Sequence, residues 1–121
     1  MRTLITTLAI GLAAIAPAAA AEARAPVTRA EAWHAAQRVA EQSATGIEAL
    51  TGGAASVDRS RTSFGNYSRY GKFGMGASFA LFGTNIVDRV ARTLLCVGNV
   101  EVVRAKSGRL RVEVNFGCPV S

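Results

Sequence analysis

Histidine, cysteine and tryptophan are scarce in this chain, with one His, two Cys and one Trp among 121 residues. Each scarcity excludes a chemistry. A lone His34 with two distant cysteines cannot supply the ligands of a structural zinc site. No Cys-x-x-Cys pair exists, so a thioredoxin-like redox centre has no basis. Gly-x-Ser-x-Gly, a P-loop and a dinucleotide fingerprint are also missing. The carboxylates Glu31, Glu41, Glu48, Asp58, Asp88, Glu101 and Glu113 are scattered, and no spacing marks a catalytic pair across a substrate. No catalytic residue, metal or cofactor is expected, and the chain reads as a non-enzyme.

Long apolar runs are limited to one. Leu4 to Ala16 follows a minimal basic start, Met1-Arg2-Thr3, and is shorter than the ~20 residues needed to span a bilayer. Pro17 breaks it, and Ala18-Ala19-Ala20-Ala21 offers the small residues that signal peptidase requires. Residues 1–20 therefore read as a cleavable signal peptide. No cysteine follows closely, which argues against a lipoprotein. The protein is expected to be exported, to a periplasmic or extracellular destination, with no transmembrane span after cleavage. Arg2 leaves with the signal, so 13 Lys and Arg remain against 8 Asp and Glu. A basic exported chain is biased towards anionic partners.

Residues 21–27 read as a flexible leader and 28–121 as a single domain. Thr28-Arg29-Ala30-Glu31 fits a capping box, with Thr28 as cap and Glu31 reaching back. At ~100° per residue, Ala32, Trp33, Ala36, Val39, Ala40, Ser43, Ile47 and Leu50 share one helix face. Glu31, His34, Arg38, Glu41, Gln42, Thr45 and Glu48 share the other, so His34 reads as a solvated surface residue. Gly52-Gly53 supplies the stop. Farther on, Phe64-Gly65-Asn66-Tyr67 reads as a hairpin with Gly-Asn in its loop and Phe64 facing Tyr67. A strand is expected from about Phe73 to Phe82. Residues 86–93 fit either helix or strand.

The C-terminal segment carries the clearest strand signal. Arg109 to Phe116 alternates polar and apolar residues. Lys106-Ser107-Gly108 suits a three-residue hairpin loop with Gly108 left-handed. Centring that loop on Ser107 makes paired residue numbers sum to 214. Cys96 and Cys118 obey the same sum, so the register chosen from turn chemistry sets them face to face. An even cysteine count in an exported chain favours a disulfide between them. The same register places Glu101 opposite Glu113, a like-charge pair that costs a few tenths of a kcal/mol to about 1 kcal/mol. The expected class is α+β: one N-terminal amphipathic helix on a small antiparallel sheet that ends in a disulfide-stapled hairpin.

Two basic groups are candidate sites for anionic ligands. Arg59, Arg61, Arg69 and Lys72 are interleaved with Phe64, Tyr67, Tyr70 and Phe73, a mixture in which aromatics stack on sugars or bases while cations meet phosphate. The competing reading, inward-packed aromatics with wet cations, is the commoner case. Arg104, Lys106, Arg109 and Arg111 surround the hairpin tip, to dock on an anionic surface or to guard strand edges. Asn66-Tyr67-Ser68 matches a glycosylation sequon. The leading functional expectation is a small exported non-enzymatic binding or inhibitor-type module of unknown ligand, its partner an unknown protein or an anionic envelope component. The alternative is an envelope protein that binds an anionic polymer or lipid; nucleic acid is the less favoured partner.

Overall fold

The computed structural model describes residues 24–119. The expected signal peptide and residues 21–23 of the leader lie outside them. Within them, one helix, α1 (Arg29–Leu50), precedes five strands: β1 (Ala55–Val57), β2 (Ser63–Arg69), β3 (Gly74–Val87), β4 (Val90–Arg104) and β5 (Leu110–Gly117). The sheet is antiparallel in the order β1-β3-β4-β5, with β2 also pairing β3 beyond the end of β1. The α+β class is as expected, with α1 as the first described element rather than at the chain's start.

The helix begins where its chemistry dictates. Thr28 Oγ1 accepts from the Glu31 N–H, and the Glu31 carboxylate accepts from the Thr28 N–H, a complete capping box. Val27 and Ala32, the two positions of a hydrophobic staple, are both fully buried. Gly52 and Gly53 end α1 with positive φ of 62° and 90°. The buried stripe is Ala32, Ala35, Ala36, Val39, Ala40 and Ala44. Small side chains let the helix lie close on β3 and β4, which widens the stripe to include Ala35 and Ala44. Leu50 departs from expectation at 90% exposure, while Ile47 and Glu48 of the same turn face the core and β1. Trp33 is only partly buried and meets the Phe64 ring edge-on at 4.6 Å.

Where it is described, the leader is hydrogen-bonded to the sheet and its loops. Val27 N–H donates to Lys72 O, Arg69 donates to Val27 O, and Arg104 donates to Ala25 O. The hairpin expected at Phe64–Tyr67 does not form. β2 runs straight through it with a bulge, the register against β3 shifting between Gly65 and Ser68. Asn66 takes the left-handed conformation there, φ 53°, so the local turn chemistry is spent on a bulge rather than a reversal. The chain turns later, where Tyr70 N–H donates to Gly74 O. Residues 86–93 resolve as strand, tight turn and strand: Asp88 and Arg89, at φ 51° and 66°, link β3 to β4 as mirror-image hairpin turns require.

β4 and β5 pair from Val97↔Gly117 to Arg104↔Leu110, every pair obeying the expected sum, and Cys96 is bonded to Cys118. Gly108 sits in the loop at φ 90°. The helix-facing side of the sheet carries Met75, Ala77, Phe79, Leu81, Cys96, Val100 and Val102, which form the core with the α1 stripe. Gly98 leaves the space in which Phe79 lies, and Phe79 stacks on Phe116 at 5.9 Å across it.

Candidate functional site: the helix-free face of the sheet

The expected basic sites are dispersed by the fold. Arg59 is engaged by Glu48 at 2.7 Å and Glu41 at 3.2 Å, clipping the start of the sheet to α1. That contact and the Val57 N–H hold the Glu48 carboxyl below its ordinary range. Arg69 donates to the carbonyls of Val27, Gly71 and Lys72. Arg104 forks onto Glu31 at 2.6 and 2.7 Å and also reaches Ala25 O and Gly108 O. The Thr28 N–H first, and Arg104 with it, lower the Glu31 pKa. Arg61 lies over Phe82, Lys72 stands exposed beside Phe73, and Arg111 is 3.6 Å from Glu113. Lys106 and Arg109 are exposed at the hairpin tip with no side-chain ion pair among the described residues.

The four candidate stacking residues also separate. Phe64 packs under Trp33, Tyr67 lies beneath Arg29, and Phe73 lies beneath Arg24. Tyr70 alone is open, at 63% exposure. It rests across Gly74 and Gly76 on the face of the sheet opposite α1. A Cβ at Gly76 would stand within 2.8 Å of the Tyr70 hydroxyl, so glycine is what lets the ring lie there.

That face brings Asn66 together with Ser78, Asn99 and Asn115, three residues to which the sequence assigned no role. Asn66 Nδ2 donates to Ser78 Oγ at 3.1 Å, Ser78 pairs with Asn99, and Asn99 pairs with Asn115. The result is a row of amides and a hydroxyl crossing β2, β3, β4 and β5. The next row holds Gly76, Glu101 and Glu113, with the Tyr70 ring at its end. Two adjoining clefts, of about 410 and 500 Å³, meet at Asn66 and Asn99. Their lining includes two carboxylates and no lysine or arginine. One signal for this site was within reach: the register that pairs the cysteines also pairs Asn99 with Asn115.

Chemically, the face offers directional donors and acceptors beside one aromatic ring. His34 is exposed on α1, away from it. Among the described residues, no group of three or more His, Cys, Asp or Glu side chains gathers as a metal site would need. No protein-family model, curated protein or solved structure matches the chain.

Proposed function

We infer that this chain is an exported, non-enzymatic binding module whose site is the helix-free face of the sheet. Its ligand on this reading is a hydroxyl-rich, uncharged chain such as a glycan. The observation that carries the reading is the Asn66–Ser78–Asn99–Asn115 row beside the open Tyr70 ring. Amides and carboxylates pair with vicinal hydroxyls, and an aromatic face takes the C–H side of a sugar ring. The Cys96–Cys118 bond supports export, since such bonds belong to oxidising compartments; among the described residues no helix is long and apolar enough to cross a membrane.

The test is titration calorimetry of the mature chain against neutral cello- and chitooligosaccharides, with heparin and phosphatidylglycerol vesicles beside them. Asn99→Ala and Tyr70→Ala should each weaken sugar binding about tenfold, the loss expected of one good contact. Sugar binding untouched by both substitutions rejects the site. The exposed Lys106 and Arg109 support the second reading, an anionic envelope polymer or lipid held at the hairpin tip. Under that reading heparin or vesicle binding falls steeply with salt and ignores both cleft variants.

A further inference from the structure

β5 is an edge strand, paired to β4 and to no other described strand. Natural edges are blunted by proline, bulges, inward-pointing charge or charged side chains along the edge. β5 has no proline, bulge or inward-pointing charge; the charges it does carry, Arg111 and Glu113, are exposed and of opposite sign, so they leave the edge open to a self-complementary partner. Its register with β4 is unbroken, and its helix-side positions are Leu110, Val112, Val114 and Phe116. The first three are 37%, 38% and 48% exposed, because α1 packs over β3 and β4 and does not extend over this strand.

The free hydrogen-bonding groups of this edge can be assigned. Ala105 N–H donates to Arg109 O across the hairpin, while Arg104 N–H donates to Phe73 O in the opposite direction. Backbone groups alternate sides along a strand. Arg111, Glu113 and Asn115 therefore direct theirs at β4. Leu110, Val112 and Val114 direct theirs outward, unpaired.

We propose that the occupant of this edge is a second copy of the chain, its β5 antiparallel to the first and centred on Val112. A two-fold interface needs a strand complementary to itself, and this one is. Centring on Val112 sets Arg111 opposite Glu113 of the second copy, twice by symmetry. It sets Leu110 opposite Val114 of the second copy on the helix side, with Val112 against its own equivalent. The outward groups of residues 110, 112 and 114 then meet as hydrogen-bonded pairs, as their alternation demands. The alternation allows only outward-facing centres: a centre on Leu110 would oppose Arg111 to Arg109 of the second copy, and one on Val114 would set Arg111 and Glu113 opposite Gly117 and Asn115, so only Val112 matches opposite charges. The pairing also answers the Glu101–Glu113 juxtaposition within one chain. Glu113, flanked by Glu101 on its β4 side and 3.6 Å from Arg111 of its own chain, gains a second arginine on its open side. The product is one continuous sheet through both copies.

Sedimentation equilibrium of the mature chain, from about 1 µM to about 1 mM, should show a monomer–dimer equilibrium. Arg111→Glu and Glu113→Arg each create like-charge pairs across the two-fold and should raise the dissociation constant about tenfold. The double variant restores opposite charges and should restore dimerisation. Glu113→Arg relieves Glu101 and gives up only an exposed pair with its own Arg111, a contact of little weight, so its monomer should melt close to the parent, which separates lost dimer from lost fold. Amide exchange gives a second reading. The Leu110, Val112 and Val114 N–H groups should slow as concentration rises, while those of Arg111 and Glu113 stay constant. A monomer at every concentration overturns the proposal. So does a dimer that ignores the single reversals, or one that the double variant fails to restore.

Discussion

Arg104 shows what a single side chain does in this small domain. Its side chain, 13% exposed, joins the end of β4 to the helix cap through Glu31, to the leader through Ala25 O and to the hairpin loop through Gly108 O. Arg104→Ala should cost about 2–3 kcal/mol, the scale of charge-assisted hydrogen bonds lost from a partly buried site. Urea denaturation followed by circular dichroism measures it. A loss under about 0.5 kcal/mol, the range of ordinary surface substitutions, would mean that this fork does not organise the fold. The roles of Arg59, Arg69 and Arg104 were not legible in the sequence. A basic residue announces its charge there, but its partners here are Glu41, Val27 and Glu31, which stand 18, 42 and 73 positions away. Only the fold brings those acceptors to the arginine, and what reads as a ligand patch becomes internal bracing.

Elements were legible where local chemistry and periodicity agree. The α1 cap is written in four consecutive residues, and the β4–β5 register follows from one loop and one alternating strand. β2 was opaque because its bulge changes parity in mid-strand, so Phe64 and Tyr67 satisfy no single period. The β3–β4 turn was opaque because Asp88-Arg89 lacks the glycine that advertises positive φ. The amide row was half legible: Asn99 and Asn115 follow from the register, whereas Asn66 joins only through the bulge. At this scale the disulfide carries the next prediction. Cys96 and Cys118 are 22 positions apart, and closing such a loop contributes roughly 3 kcal/mol in the chain-entropy model. Replacing both by alanine should lower the unfolding free energy by about that amount, as chemical denaturation with and without reductant will show. A parent protein whose stability is the same with reductant as without would contradict it.

The whole molecule should be sensitive to acid. Glu31 and Glu48 both titrate below their ordinary value of 4.5 in the folded state. Folded values below unfolded ones mean that ionisation favours folding. The contribution is complete above the unfolded value and is lost as pH falls through the lower folded values. Melting temperature should therefore hold steady from neutrality to about pH 5 and decline below about pH 4.5. Glu31→Gln should make that decline shallower; an unchanged slope would show that Glu31 does not couple to folding. The covalent ring formed by β4, the loop and β5 has one further consequence, a mechanical one. Tension on the C-terminus enters the body at Cys96, inside a central strand, instead of peeling β5 away one hydrogen bond at a time. With the bond intact the β4–β5 hairpin lies outside the path of that load, which passes from Cys96 to the β3–β4 ladder. Reduction makes β5 the first element to unzip, so the redox state of two sulfur atoms decides where the protein gives way under load.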